Sequence, residues 1–158
     1  MGHGEAHGYA VTHDEAELFR LLKTVKNPLL LVLDCVQDPH NLGACLRTAA
    51  AVGVQAVIVP NRRSAPLTET VRRIACGGAE NVFFTQITNL ARTLRKLKEE
   101  GVRVIGADHS AKRSLFEEDL TADLLRWSWG PKAAGSGASP WKPAVPQCRF
   151  RCPEASRA

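Results

Sequence analysis

The run Leu29–Leu33, LLLVL, constrains the fold more than any other stretch of the chain. Unbroken apolar residues make a strand that must be covered on both faces, and such strands belong to parallel sheets flanked by helices. A parallel strand cannot return by a hairpin; it needs a crossover, usually a helix. The next residues supply one. Asp38-Pro39 puts a carboxylate at the N-cap and proline at the first helical position. Leu42, Leu46, Ala49 and Ala50 then line one side, and Gly53 stops the helix.

The same unit repeats. Val54–Val59, closed by Pro60, reads as a second strand. NRRSAPLTETVRRIAC follows as a loop and a helix with apolar positions at 67, 71, 74 and 75, ended by Gly77-Gly78, and NVFFTQI is a third strand. Asn89–Glu100 has Leu90, Leu94 and Leu97 on one side and Arg92, Arg95, Lys96 and Lys98 on the other. Gly101 ends it, and VRVIGAD is a fourth strand. The alternation predicts an α/β fold: an open parallel sheet, doubly wound, with helices on both faces. Ahead of it, Asp14–Thr24 reads as a short amphipathic helix behind a Gly/His-rich linker at 1–13, so 1–27 forms a linker and short helix.

After Leu120 the periodicity stops. Residues 124–158 hold six of the 21 Lys/Arg and one of the 16 acids, so the chain's net charge of +5 resides there and the remainder is neutral. All three Trp and five of nine Pro fall in the same segment. It is expected to be a non-native, disordered tail. No run approaches the ~20 apolar residues of a membrane span. The N-terminus has neither the cationic start nor the apolar stretch of a secretory signal. Five cysteines at irregular spacings suggest reduced thiols and a cytoplasmic setting.

Asn41, Gly43 and Arg47 stand where the first strand feeds a helix N-terminus, the usual place for a site in open α/β sheets. Arg47 near amide donors suits a phosphate, Asn41 suits a hydroxyl, and Gly43, one turn before Arg47, leaves room beside the guanidinium. On spacing alone, a salt-bridging Arg and a capping Asn explain these residues equally well. Arg62, Arg63, Arg72 and Arg73 cluster after the second strand, as solvated charge or, with an RNA partner, as phosphate contacts. No metal site is expected: His3 and His7 sit in a sparse linker, Asp34 and Asp38 lack a third ligand, and Cys148 and Cys152 lack a second pair. Neither GxGxxG nor GxxxxGK[ST] occurs.

The stretch LDCVQDPHNLGACLRTAAAVGVQAVIVP resembles the first motif of the SpoU/TrmH family of knotted RNA ribose methyltransferases. SAPLTETVRRIACGGAENVFF and TNLARTLRKLKEEGVRVIGAD extend the likeness, most closely to members acting on a guanosine of bacterial 23S ribosomal RNA. The resemblance implies that residues 28–123 are the N-terminal part of a methyltransferase domain of α/β-knot type. It implies a methyl group passing from S-adenosylmethionine to a ribose 2′-hydroxyl without a metal, and a homodimer. Asn41 and Arg47 would be the catalytic pair, with Asn41, Gly43, Arg47, Arg62 and Arg63 against the RNA. Arginine, with a pKa above ~12, is too weak a base unaided, so Arg47 is expected to act by electrostatic positioning.

The departures are as informative. The family's small N-terminal RNA-binding domain is not found, nor are its second and third motifs (like VLGxEGxGL and IPMxGxxxSLNVS), which build the knot and the cofactor site. No cofactor-binding residue is therefore assigned. Codons read from the third base of Trp127 onward can spell V-L-G-P-E-G-G-G-L, and those bridging Arg149–Ala155 can spell I-P-M-S-G-S, with glutamate and isoleucine 18 codons apart. A frameshift near residues 124–126 accounts for both motifs at the family's spacing. The expectation is a methyltransferase copy without its knot and without activity; the alternative is a non-enzymatic α/β RNA-binding remnant.

Overall fold

The computed structural model describes residues 11–107, 112–114, 117, 125–129 and 147–149, the last two stretches by their backbone. Each helix begins where its cap dictates. Asp14 accepts from the Glu17 amide at 2.8 Å while Glu17 Oε2 accepts from the Asp14 amide at 3.0 Å, a reciprocal box that opens α1 (Glu15–Thr24). Asp38 accepts from the His40 amide at 3.0 Å at the head of α2 (Pro39–Ala51), with Pro39 in the first turn. Thr68 and Asn89 cap α3 (Glu69–Ala75) and α4 (Leu90–Glu99) in the same way.

The strands between them are β1 (Thr12–His13), β2 (Leu30–Leu33), β3 (Ala56–Pro60), β4 (Phe83–Ile87), β5 (Arg103–Ala107), β6 (Arg113–Ser114), β7 (Leu125–Trp129) and β8 (Gln147–Arg149). They form one sheet in the order β1-β4-β3-β2-β7-β5-β8-β6, every described pair parallel. From β2 the chain steps outward through α2 to β3 and through α3 to β4. It then returns across the sheet by α4 to β5, on the other side of β2. The strand order thus reverses beside β2, where ligands bind in open sheets.

The period-two alternation of each strand divides the core. Leu33, Val57, Val59 and Phe84 face α2 and α3, where Leu42, Leu46, Ala49, Val71 and Ala75 are buried. Leu30, Val32, Ala56, Ile58 and Val104 face α1 and α4, where Leu18, Leu94 and Leu97 are buried. The predicted fold class, an open parallel sheet with helices on both faces, is the observed one.

Two boundaries differ from the sequence reading. Thr12–His13, expected in the linker, pairs with Phe84–Thr85 as an edge strand. The His13 ring stacks on Phe83 with centroids 3.7 Å apart, and its Nδ1 lies 3.2 Å from Glu17 Oε2. At the other end, Leu125–Trp129 falls within the stretch expected to be tail, yet it lies between β2 and β5, paired to both. Those neighbours present unpaired N–H and C=O groups that a strand of almost any composition satisfies. LRWSW does alternate apolar and polar, but over too few residues to stand out against the break in composition. Gln147–Arg149 also joins the sheet, between β5 and β6. The other residues of 124–158, like residues 1–10, lie outside the described residues.

Candidate active site

The chain leaves β2 at Asp34 and turns sharply at Cys35, whose φ of +61° is the left-handed conformation. That conformation is uncommon for a residue with a Cβ. The Cys35 thiol donates to Asp34 Oδ1 at 3.2 Å. Burial raises its pKa first, and the Asp34 carboxylate adds to that, while the neighbouring Arg63 guanidinium opposes it. Arg63 is itself left-handed, φ +68°. The loops after β2 and β3 are therefore clasped together, and the Ala65 amide donates to the Val36 carbonyl at 2.8 Å.

The site residues ride on α2 behind this clasp. Asn41 and Arg47 are both exposed. The cap is Asp38, not Asn41, and no described acid pairs with Arg47. The two bland roles that spacing left open, a capping Asn and a salt-bridged Arg, are thus not the ones these side chains take among the described residues. Six residues of helix separate them, about 9 Å along the axis and roughly 120° around it. Asn41 stands in the first turn of α2, while Arg47 lies nearly two turns further on and nearer the C-terminal end, so the two do not form one cluster and Arg47 is not at the helix N-terminus that the sequence suggested.

Gly43 sits differently from the sequence reading. It is buried, and a Cβ placed on it would stand 2.7 Å from Ile74 Cβ and 2.9 Å from the Val71 carbonyl. The space beside Arg47 on this face is filled by α3, so the missing side chain admits a helix, not a substrate. Arg62 is exposed and Arg63 lies against Cys35, placing one of the pair beside the motif loop. Arg72 is half-buried and has a partner, while Arg73 is exposed on α3. Sequence reasoning missed the left-handed turn at Cys35 and the packing at Gly78, described below; a cysteine carries no signal for positive φ.

Among the described residues, cavities open away from these side chains. One of about 540 Å³ opens at the amino ends of β3 and β4, among His13, Gln55, Glu80, Asn81 and Phe83. Gln55 is bonded to Leu29 and Gly53, Asn81 to Gly77, and His13 to Glu17, so its polar lining is largely engaged within the fold. The other, about 490 Å³, is an apolar groove between β2 and α2 with Leu29, Leu31, Cys45 and Val52 in its walls. No group of three His, Cys, Asp or Glu among the described residues could hold a metal ion. No helix among them is long and apolar enough to cross a membrane.

A parallel open sheet with a polar loop and helix N-terminus at its reversal point defines a class of ligand-binding α/β domains. The comparisons make this specific. Residues 28–129 match the SpoU rRNA Methylase family, and the chain belongs to it. It is 53% identical over 111 residues to the 23S rRNA (guanosine-2′-O-)-methyltransferase RlmB of Vibrio cholerae, covering 70% of this chain and 45% of that protein. The Escherichia coli RlmB is 48% identical over 112 residues, covering 71% of this chain and 46% of the relative. The chain thus spans about half the length of the curated relatives it matches. A putative RNA methyltransferase of the TrmH family from Porphyromonas gingivalis superposes with a TM-score of 0.69 at 29% identity, over 84% of this chain and 53% of that one. The SpoU methyltransferase AviRb from Streptomyces viridochromogenes, in complex with the cofactor AdoMet, shares the fold at a TM-score of 0.71 and 16% identity.

Proposed function

We propose that the chain is the RNA-side part of an enzyme that methylates a ribose 2′-hydroxyl of ribosomal RNA, at a guanosine, with S-adenosylmethionine as donor. One observation carries this reading. In a chain of this family, the helix that opens at the sheet's reversal point carries Asn41 in its first turn and Arg47 nearly two turns on, both exposed and with no described acid paired to Arg47. Arg47 would hold a backbone phosphate by a bidentate charge-assisted contact. Asn41 would orient the acceptor hydroxyl, and Arg63, clasped to the motif loop through Cys35, would extend the phosphate track with Arg62.

The apolar groove has one hydroxyl in its lining, that of Thr48, already donating to the Ala44 carbonyl, and the side-chain amides around the other cavity are engaged. Donor binding is assigned to the two motifs that the shifted codons can spell. We attribute their loss to a frameshift near residues 124–126, within a few residues of where the family match stops at 129. A complete copy would be a cytoplasmic homodimer; the present chain would be inactive.

Calorimetric titration of S-adenosylmethionine tests this directly. No binding is expected for the chain as it stands, and micromolar binding after a single-base restoration of the frame, together with methyl transfer to 23S ribosomal RNA. Micromolar binding by the present chain, or an uninterrupted long frame in the resequenced gene, would overturn it. The RNA-binding remnant is the outcome if salt-dependent RNA affinity vanishes on deleting 124–158 and the restored frame stays inactive.

A further inference from the structure

Arg47 owes its place to a residue 31 positions downstream. Gly78 is buried at the corner between α3 and β4, and a Cβ on it would stand 2.8 Å from Arg47 Cα, 2.9 Å from the Leu46 carbonyl and 2.9 Å from the Ala75 carbonyl. All three are backbone atoms, so no side chain can swing aside to make room. Its neighbour Gly77 is the reverse case: φ is +83°, and a Cβ there would meet nothing within 4 Å. Gly77 is required by the turn and Gly78 by the contact.

The corner that delivers Gly78 is firmly built. Cys76 ends α3 in the left-handed conformation, φ +49°, the Gly78 amide donates to the Ala75 carbonyl at 2.8 Å, and Asn81 Nδ2 donates to the Gly77 carbonyl at 2.8 Å. One turn away along α2, Gly43 meets Ile74 and the Val71 carbonyl. The α3 unit therefore grips α2 at two successive turns of one face, at residues 43 and 47. With both grips in place, α2 can neither slide nor roll at Arg47 without moving α3.

We propose that Gly78 is a positioning residue for Arg47. It touches no substrate; it sets the backbone from which the guanidinium reaches the RNA. A methyl group here must displace Arg47 Cα itself, and a small shift at Cα grows along the long side chain to its charged end. Sites tolerate little misplacement of such groups. The proposal rests on the RNA-side reading of Arg47.

A double-mutant cycle on the full chain, with a 23S ribosomal RNA transcript as probe, tests it. Arg47→Ala and Gly78→Ala are each expected to weaken binding about tenfold, as loss of one charged contact does. The double variant should be no weaker than Arg47→Ala within about twofold. Gly77→Ala should lower the melting temperature and leave affinity unchanged. Losses that multiply in the double variant, as a merely structural glycine would give, overturn the proposal.

The Arg47 backbone resonances separate this failure from failure of the RNA reading. If Gly78→Ala moves the Arg47 Cα shift and Gly77→Ala does not, positioning stands. Should Arg47→Ala then leave RNA affinity unaltered, it is the RNA reading that falls. If Gly78→Ala does not fold, the unaltered chain decides: a strong nuclear Overhauser effect between the Gly78 and Arg47 α-protons supports the contact, and its absence overturns the proposal.

Discussion

The two faces of the sheet are packed by different means. On the α1/α4 face, side chains fill the space: Leu18, Leu94 and Leu97 lie over Leu30, Val32 and Ile58. On the α2/α3 face, the helices also meet through glycines, with α3 against Gly43 and the following corner against Arg47 Cα. Side-chain packing can relax when one group changes, whereas a contact between backbones has nothing to yield. The candidate site rides on the second face. The face that must be accurate is the one built on backbone contact.

This contrast can be broken most forcefully from the core. Leu46→Ala under α2 and Leu97→Ala under α4 should each cost about 2–5 kcal/mol of unfolding free energy, measured by urea denaturation. Only the first should weaken RNA binding at temperatures where both are folded. Equal losses of affinity would show that the faces do not differ functionally. Gly43→Ala is expected to cost about 1–3 kcal/mol through overpacking on Ile74 and the Val71 carbonyl, and Ile74→Ala in the same chain should recover little of it, because Cβ and the carbonyl both remain. Full recovery would mean that only the end of the Ile74 side chain, and not the backbone of α3, meets α2 there.

Smaller effects sharpen the same comparison. Asp38→Ala removes the α2 cap and should lower stability by about 1 kcal/mol, with Asp38→Asn close to neutral. On the opposite face, Lys96 Nζ lies 2.7 Å from Glu15 Oε1 and 5.5 Å from the Phe19 ring centre, both ionic groups partly exposed. Lys96→Ala should cost at most about 1 kcal/mol, less at high salt, with no change in RNA affinity. A large loss of affinity there would move the RNA track to α4.

Much of the middle of the chain was legible as sequence. Asp38-Pro39, Gly53, Gly77-Gly78 and Gly101 punctuate the chain through rules that act over four residues or fewer, so helices and strands between residues 14 and 107 fall close to their expected places. The exposure of Asn41 and Arg47 also follows from the helical period, since both leave the stripe of Leu42, Leu46 and Ala49. β1, β6, β7 and β8 were not legible. Their residues pair because neighbouring strands offer open hydrogen-bonding edges, a long-range cause that leaves little mark on two to five residues.

Gly43 marks the division most clearly. The sequence by itself determined that a side chain is missing one turn before Arg47, that a capped helix follows a doubly covered strand, and that this motif belongs to RNA methyltransferases. It assigned the vacancy to a substrate. Only the tertiary structure decided that Ile74 fills it, and that Gly78, in sequence one more helix stop, rests on the backbone of Arg47. Spacing along a chain reports which face a residue shares. What stands opposite that face depends on how distant segments are brought together, and excluded volume between them is decided only there.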